Sequence, residues 1–390
     1  MTDKKQKLMN YVSNLSSKIL QHTPEWLEAK KIVIGGSTMA SVLGMNVHTG
    51  KIKSLLSKYR QDNSNLEKMN WGNLLEDTIK LHIQDVYQTE VVADNSFIPL
   101  DVGPCAGCIA YSPDGLCVIK NSILQEKLGK CYTDLNSLDK DGESIILLEF
   151  KAPYSRRVDI KKIPEYYIPQ PLTGMDCIGP VSEDKSKIVR LCDFSLFIEC
   201  TFRFCDYSQL DRGRLHQNYP AIHPESEERG SVHCSGMILI YGPERGPIYD
   251  EMIQKCGEAD VANELLNLSK KTRDDIIIAV HRKKLVSLHT GPCKDKKEIL
   301  ARRREILNDP SKSRSGHDHN ITGLVPYGMF SWKLMECCVR PMFPEDNYIE
   351  KHSEEIVKYV NARKEINNMN HEDAIDYLCD LYNEDPMKYF

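Results

Sequence analysis

The chain has 390 residues, of which 41% are hydrophobic and 27% are charged, and its formal net charge is −5. Such a chain can bury a sizeable core in one large or two moderate domains. No apolar run approaches 18 residues and no signal-peptide pattern opens the sequence, so we expect a soluble intracellular protein that does not contact a membrane. The negative charge argues against a nonspecific nucleic-acid coat, although it allows a local basic groove.

The first 60 residues are predicted to be mainly helical, with apolar residues at helical spacing from Leu8 to Ile19. The Gly35-Gly36-Ser37 segment then predicts a turn, with Ser37 as the N-cap of a short helix. Free backbone N–H groups at a helix start can bind an anion, whereas simple capping by Ser37 explains the same pattern without a ligand. Both interpretations stay open on the sequence.

A helix is predicted over residues 70–83, because Leu74, Leu75, Ile79 and Ile83 recur at helical spacing. Glu76 lies one residue off this apolar stripe, and that position alone predicts an exposed side chain.

The Pro113-Asp114-Gly115 sequence precedes a short apolar segment at residues 116–119. Asp and Gly favour tight turns for backbone reasons, so a simple turn explains this sequence when it is considered alone.

The most informative segment is Ile145-Ile146-Leu147-Leu148-Glu149-Phe150-Lys151, an apolar run that predicts a buried strand. Side chains two positions apart in a strand share one face, so Glu149 and Lys151 should occupy the same site. Burial of such a pair is costly unless a metal ion or a bound phosphate compensates for it. Acid-x-Lys triplets occur elsewhere in the chain by chance, but none of those follows an apolar run of this kind.

Asp114 and the Glu149-x-Lys151 strand together are the components of a magnesium-dependent nuclease. Two carboxylates and a backbone carbonyl suffice for a hard divalent cation that keeps several waters. Lys151 would orient the attacking water or help to deprotonate it, and would offset phosphate charge.

A basic cluster at residues 155–162 follows this strand and includes Arg157. Cations beside a metal site are suited to a polyanionic substrate, although a charge run can also be a solvated face. Tyr167 and Gln170 are three residues apart and should face the same way. The Gln170 amide can hold a water, while burial of the tyrosine in a core is the alternative for Tyr167.

These motifs resemble the lambda exonuclease / YqaJ viral recombinase family of the PD-(D/E)xK superfamily, and are most similar to the lambda-type exonucleases of large cytoplasmic DNA viruses. Six blocks match in order between residues 24 and 170. They contain Trp26, Lys30 and Ser37; Glu76; Ser112 and Asp114; Glu149 and Lys151; Arg157; and Tyr167 and Gln170.

The resemblance implies an α/β fold with a restriction-endonuclease-like core, in which helices flank a central mixed β-sheet and further helices are added at both ends. It implies a Mg²⁺-dependent deoxyribonuclease, with Mn²⁺ as a substitute, that digests duplex DNA from 5′ to 3′ in viral recombination, repair or processing of replication intermediates. The substrate would be duplex ends. The partner would be a single-strand annealing or replication protein, and the protein would act in the host cytoplasm. The phage relative suggests a ring-shaped trimer, but the residues themselves do not fix the stoichiometry.

The resemblance also assigns roles to individual residues. The catalytic set is Glu76, Asp114, Glu149, Lys151 and Gln170. The metal ligands are Asp114, Glu149, the Phe150 carbonyl and, through water, Glu76. The phosphate-binding set is Lys30, Ser37, Ser112, Arg157 and Tyr167.

The chain departs from the family pattern in two places. The phage enzyme has arginine in the first block where this chain has Lys30, so a point charge replaces a planar two-pronged contact with phosphate. In addition, 34 residues separate Asp114 from Glu149. We expect an insertion near residues 120–143 that lies beside the cleft, where it could contact DNA.

Strands are predicted at residues 90–93, 108–111, 116–120, 145–151, 193–204, 232–241 and 275–281, with helices at 261–268, 295–307, 348–366 and 371–382. Residues 1–345 would form the nuclease domain, and residues 346–390 a helical extension packed on it.

The 14 cysteines include Cys105-x-x-Cys108, but no second pair follows at zinc-site spacing, so we expect reduced and mostly buried thiols.

Two other functions stay open. A structure-specific endonuclease could use the same metal site on the same fold, since the surrounding loops decide which DNA gains access. A non-catalytic DNA-end-binding protein is disfavoured, because every carboxylate and the lysine expected for catalysis are present.

Overall fold

The computed structural model describes residues 2–15, 24–59, 66–94, 96–154, 156–159, 162–205, 234–244, 246, 275–280, 285–313 and 321–389. A six-stranded mixed sheet forms its centre, in the order β4-β5-β6-β9-β7-β8. These strands are β4 Gly115–Lys120, β5 Glu143–Lys151, β6 Phe194–Cys205, β7 Cys234–Gly242, β8 Val286–His289 and β9 Val325–Met342. Only the β5–β6 pair is parallel among these neighbours. Helices flank the sheet, so the predicted restriction-endonuclease-like α/β class is confirmed.

A smaller three-stranded sheet lies beside the central one. Its strands are β1 Ile34–Gly35, β2 Ile98–Pro99 and β3 Ile109–Tyr111, with β3 in the middle. β1 is parallel to β3, and Gly35 pairs with Ala110. This pairing fixes the first sequence block next to the strand that leads into the Asp114 turn.

The predicted buried strand is β5, and residues 145–148 of it are fully buried. Side chains alternate between its two faces. Ile146 and Leu148 join one core cluster with residues of the long helix α5 (Leu66–Tyr87), and Ile145 and Leu147 join another with residues of α7 (Pro169–Cys177). Full burial of each such aliphatic side chain contributes roughly 1.5–3 kcal/mol. The strand that carries the candidate site is therefore packed from both sides.

The remaining described helices with assigned bounds cover the faces and the chain ends. They are α1 Asp3–Ser13, α2 Pro24–Ile32, α3 Gly36–Val42, α4 Lys51–Leu55, α6 Asn121–Leu128, α8 Lys296–Asn308, α9 Tyr348–Lys351, α10 Ser353–Glu365 and α11 His371–Tyr382.

The C-terminal helices pack on N-terminal elements. The Tyr359 hydroxyl on α10 donates to Ser54 Oγ on α4 at 2.8 Å, and the Tyr59 hydroxyl donates to the Ile366 carbonyl at 2.8 Å. Helices were predicted at 348–366 and 371–382, and both regions are helical, with a break at His352 between α9 and α10. The division into domains at residue 345 stays a prediction.

Several other secondary-structure predictions are confirmed. β3, β4, β5, β6 and β7 match the strands predicted near them, and α8 matches the helix predicted at 295–307. The helix predicted at 261–268 lies outside the described residues. No disulfide joins the described cysteines and most of them are buried, as expected.

The predictions for three segments are wrong, and two strands were missed. Residues 275–280 are helical, residues 90–93 form only a bridge at Val92, and β8 and β9 were not predicted. The segment near 120–143 also does not lie beside the cleft. It joins β4 to β5 at the Lys120↔Glu143 end of the hairpin, opposite the end that carries the Asp114 turn. The six residues of β4 separate the two ends by roughly 20 Å.

Candidate functional site

Asp114 and Glu149 are brought together by the hairpin of β4 and β5. Gly115 pairs with Leu148, so Asp114 lies next to the end of β5. Asp114 Oδ2 accepts a hydrogen bond of 2.6 Å from the Phe150 backbone N–H. The turn carboxylate is therefore fixed beside the residue that follows Glu149, and the sharing of one ion by the two carboxylates stays a prediction.

Glu149 is fully buried, and both of its oxygens have partners. Oε1 forms an ion pair with Lys151 Nζ, and Oε2 accepts a hydrogen bond of 2.9 Å from the Tyr111 hydroxyl. Glu149 and Lys151 thus share one face of β5, as predicted from their spacing. A carboxylate can be buried here because an ammonium and a hydroxyl replace its hydration.

Two glycines hold the Tyr111 ring in place. A Cβ at Gly36 would lie 2.5 Å from Tyr111 Cε2, and a Cβ at Gly174 would lie 2.4 Å from Tyr111 Cζ. Gly174 stands inside α7, where glycine costs about 1 kcal/mol relative to alanine, so close packing against the ring accounts for it. The helices α3 and α7 therefore fix the tyrosine that hydrogen-bonds to Glu149.

The site has more acidic than basic side chains, and this affects their pKa values. Burial raises the pKa of Asp114 well above its usual value, and the Glu149 and Glu76 charges raise it further. Burial also raises the pKa of Glu76 to about 7; Lys151 opposes this rise, while Asp77 and Glu149 add to it. The pKa of Lys151 is raised because the neighbouring carboxylates outweigh the effect of its burial. Glu76, predicted as exposed from its position off the stripe, is instead partly buried near the other acids.

The donor set fits a hard divalent cation, because carboxylates that repel one another are stabilised by a shared positive charge. Asp114, Glu149 and the Phe150 carbonyl are the residues that would hold it, with Glu76 nearby. In the structure the Lys151 ammonium occupies the cationic position beside Glu149. Across the described part of the chain, no three acidic, imidazole or thiol side chains already converge on one point for a metal.

The predicted phosphate-binding residues lie on different elements of the fold. Lys30 on α2 has its ammonium 3.9 Å from the centroid of the Trp26 ring. Ser37 is exposed in the first turn of α3, so the prediction that it is the N-cap is wrong; Gly35 is the N-cap, without a side-chain hydrogen bond. Ser112 is partly buried two residues before Asp114. Within the described residues, no direct hydrogen bond joins Lys30, Ser37 and Ser112 to each other.

Tyr167 and Gln170 border the same region. Tyr167 ends a 3₁₀ turn before α7, and its ring centroid lies 5.5 Å from Lys151 Nζ. Gln170 lies in the first turn of α7, and its Cγ would be 3.3 Å from a Cβ at Gly36. The structure thus places Tyr167 against the site lysine and Gln170 against the β1–α3 turn.

Arg157, the arginine of the matched block, is exposed. Its neighbour Arg156 points inward instead: it forms an ion pair with Glu199 Oε1, and its Cζ lies 5.8 Å from the Tyr167 ring centroid. The role of Arg157 in binding phosphate stays a prediction.

Sequence reasoning missed a buried charge cluster next to the site. Glu199 on β6 pairs in register with Lys151 and is fully buried. Its Oε2 accepts hydrogen bonds of 2.7 and 2.6 Å from the two Nη atoms of Arg340 on β9. The missed signal is a carboxylate within an apolar strand, the same signal that identified Glu149.

The chain has a restriction-endonuclease-like fold. Its mixed sheet carries buried carboxylates and a lysine at the end of one strand. The family model described as the YqaJ-like viral recombinase domain matches residues 25–179, a segment that contains all six motif blocks. Residues 25–179 are therefore similar to this family, and the resemblance predicted from the motifs is confirmed.

The chain is also similar to one protein of African swine fever virus, in each of three isolates. The protein of the Badajoz 1971 Vero-adapted strain is 29% identical over 334 residues, which cover 84% of this chain and 83% of the relative. The Pretoriuskop Pr4/1996 tick isolate from South Africa gives the same identity and coverage. The Lil 20-1/1983 tick isolate from Malawi is 28% identical over 210 residues, which cover 52% of this chain and 56% of that relative. In the described part of the chain, no helix has the length and apolarity needed to cross a bilayer.

Proposed function

We propose that the protein is a Mg²⁺-dependent exonuclease that hydrolyses phosphodiester bonds of duplex DNA from the 5′ end. One observation carries the proposal: Asp114 and the Glu149–Lys151 pair meet at the end of a buried hairpin, with Glu76 close enough to influence their charges. The similarity of residues 25–179 to a viral recombinase family supports the same chemistry.

The cation would supply an electrophile for the phosphate oxygens and lower the pKa of a bound water. Asp114, Glu149 and the Phe150 carbonyl would hold it, with Glu76 reached through water. Tyr111 keeps the Glu149 carboxylate oriented by a hydrogen bond that is buried from solvent. A bond of this kind preserves the geometry on which a catalytic site depends.

Lys151 would act as a cation rather than as a base. The carboxylates around it raise its pKa, so it is protonated at neutral pH and stabilises negative charge that develops on the phosphate. Gln170 would hold a water with its amide oxygen. Lys30, Ser37, Ser112, Arg157 and Tyr167 would contact the DNA backbone near the end.

Digestion from the 5′ end leaves a 3′ single strand. That product suits a single-strand annealing or replication protein as the partner, and a role in recombination, repair or replication-intermediate processing. The relatives belong to a large cytoplasmic DNA virus, so the host cytoplasm is the proposed location.

The test is a time course on linear duplexes that are labelled at either the 5′ or the 3′ end, with Mg²⁺ and with a chelator. We expect early release of the 5′ label as mononucleotides, no release with the chelator, and no cleavage of covalently closed circular DNA. Release of the 3′ label first would overturn the polarity, and cutting of closed circles would favour the endonuclease.

Lys151→Ala separates an enzyme from a DNA-end-binding protein. Loss of one electrostatic stabiliser in a catalytic site costs roughly 100- to 1,000-fold in rate, so cleavage should collapse. DNA binding, measured by fluorescence anisotropy in Ca²⁺, should persist. Unchanged cleavage by this variant would refute the assignment of the site.

A further inference from the structure

One face of the central sheet runs from the candidate site to α8. Side chains two positions apart on a strand share a face, so Glu199, Arg203 and Cys205 of β6 lie on the same one. The register shift between β6 and β9 adds its extra residue to β9, which leaves the alternation along β6 unbroken. Glu199 pairs in register with Lys151 at the site end. At the other end, Cys205 joins the core cluster that contains the buried residues of α8.

This face is open between the two helices that pack on it. α7 packs over Leu147 on β5, and α8 packs over Leu239 on β7. Between these helices Arg203 on β6 and Glu336 on β9 are exposed, and Thr201 is half-buried. We call this open strip of β6 and β9, together with the neighbouring surface of α8, the trough.

The α8 side of the trough concentrates positive charge in a chain that is acidic overall. Residues 294–308 contain six basic and three acidic side chains, whereas the net charge of the whole chain is −5. Lys294, Lys297 and Arg304 are exposed, as is Arg203 on the floor of the trough. Among the side chains that the structure describes, no carboxylate forms an ion pair with any of these four. They are therefore available to an anion from solution.

Strand register places the start of α8 close to Arg203. Arg203 pairs with Lys333 on β9, and Lys333 pairs with Ser235 on β7. Ser235 exchanges backbone hydrogen bonds of 2.9 and 3.2 Å with Cys293, the residue before Lys294. Three steps of about 4.8 Å across the sheet thus separate Arg203 from Cys293, a distance of roughly 14 Å.

The dimensions of the trough match those of a duplex that leaves the site. Arg203 lies four residues along β6 from Glu199, the register partner of Lys151, so roughly 14 Å separate the backbones of Arg203 and Lys151. Duplex DNA rises about 3.4 Å per base pair, so this distance corresponds to about four base pairs. On α8, Lys297 and Arg304 are two helical turns apart and point to the same side, roughly 10 Å from each other.

We propose that the trough binds the sugar–phosphate backbone of the DNA duplex behind the end that is cleaved. Arg203 would contact phosphates from the floor, and Lys294, Lys297 and Arg304 would contact them from the α8 side. A charged helix alone is usually a solvated face, but this one borders an open face that continues to Lys151, and that continuity favours the substrate as the occupant.

The proposal rests on the proposed nuclease function and adds a second contact region to it. All four basic residues lie outside the segment of residues 25–179 that matches the family model. Glu336 is the acidic residue of the floor, where its carboxylate accepts a hydrogen bond of 3.2 Å from the Thr201 hydroxyl. Its charge opposes DNA binding, so neutralising it should have the opposite effect to neutralising Arg203.

The experiment measures duplex binding by fluorescence anisotropy over a series of salt concentrations, with a chelator present. Each phosphate contact contributes about 0.9 to the slope of log affinity against log salt concentration. The triple variant Arg203→Gln/Lys297→Gln/Arg304→Gln should therefore reduce this slope by roughly 2 to 3, and should weaken binding at least about tenfold. Glu336→Gln should tighten binding.

A matched single substitution controls for the loss of a surface charge. Lys297→Gln should reduce the salt slope by about 1. Lys140→Gln removes an exposed lysine from the segment that joins β4 to β5, and β4 lies at the opposite edge of the sheet from β8. This variant should bind duplex as wild type does. Circular dichroism spectra that match the wild type confirm that each variant is folded.

Uncharged methylphosphonate linkages show where along the DNA the trough acts. Linkages placed about four to seven base pairs from the end should weaken binding by the wild type, because they remove the phosphates that the trough would contact. They should not weaken binding by the triple variant any further. Equal losses for the two proteins would overturn the proposal.

Two other results would also overturn it. One is a wild-type salt slope for the triple variant. The other is a loss of affinity that appears with single-stranded DNA and not with duplex, because the trough would then hold a product strand. If no DNA is ever cleaved, the proposed function fails, while the binding comparison still supports or overturns the trough. If duplex is cleaved but the salt slope is unchanged, the nuclease stands and the trough does not.

Discussion

Glu199→Gln tests the buried charge cluster that supports the candidate site. One Glu199 carboxylate accepts hydrogen bonds from Arg340 at 2.7 and 2.6 Å and forms an ion pair with Arg156. Arg340 is 2% exposed, whereas the Arg156 side chain is 30% exposed. The substitution therefore leaves the Arg340 charge buried opposite a neutral amide, while water can still solvate part of Arg156.

Loss of one partner from a buried ion pair costs about 3–5 kcal/mol, because the remaining charge is uncompensated. The Asp159 carbonyl, which accepts from Arg340 Nη2 at 2.7 Å, offsets a small part of this cost. We expect Glu199→Gln to lower the free energy of unfolding by about 3 kcal/mol or more. Arg340→Met should cost less, because Glu199 keeps Arg156 as its partner.

The assay is unfolding in urea, followed both by circular dichroism and by tryptophan fluorescence. A free energy of unfolding is derived only if the two probes show the same transition. The double variant Glu199→Gln/Arg340→Met should cost clearly less than the sum of the two single variants, since the only charge it leaves without its carboxylate partner is that of Arg156, which water partly solvates. Glu336→Gln, which removes an exposed carboxylate of β9, is the control and should change stability by about 0.5 kcal/mol or less. A cost below about 1 kcal/mol for Glu199→Gln, or additive costs, would refute the reasoning.

Three further variants test the site itself. Tyr111→Phe removes the hydroxyl that donates to Glu149, and should lower the cleavage rate about tenfold while the circular dichroism spectrum is unchanged. Gly174→Ala forces a Cβ against the Tyr111 ring, and should lower the free energy of unfolding in urea by about 1–3 kcal/mol. Mg²⁺ should raise the melting temperature of the wild type, and Asp114→Asn should largely abolish this rise because one ligand and one negative charge are lost.

Each of these variants has a contrary outcome. A wild-type rate for Tyr111→Phe would mean that the hydroxyl does not orient Glu149. Full stability of Gly174→Ala would mean that the ring has room to move. An equal Mg²⁺ effect on wild type and Asp114→Asn would place the cation elsewhere on the protein.

The centre of the site was predictable because its signals are local. The apolar run before Glu149 defines a buried strand, and the fixed period of a strand then sets Glu149 and Lys151 on one face. Asp114 could be added because its turn precedes another apolar segment. Pairing of β4 with β5 then brings Asp114 next to the end of the strand that carries Glu149.

Features that depend on tertiary packing were not predictable. β9 was missed because charged residues, proline and glycine interrupt its apolar pattern, although pairing with both β6 and β7 buries most of it. Arg156 and Arg157 are neighbours in an irregular segment, so spacing could not show which of them points inward. Arg363 lies in a helix with an ordinary charged pattern, and only the packing of α10 against the end of α2 reveals its hydrogen bond to the Val33 carbonyl.

The hydrogen bond between Arg363 and the Val33 carbonyl spans 330 positions of the chain. At a synthesis rate of about 5–20 residues per second, a ribosome needs on the order of 20 to 70 seconds between these two residues. In the later part of that interval the nascent polypeptide contains the β4–β5 hairpin with its acids, but not yet Arg363. The contact that fastens α10 to the end of α2 can therefore form only late in translation, after the residues of the candidate site have been made.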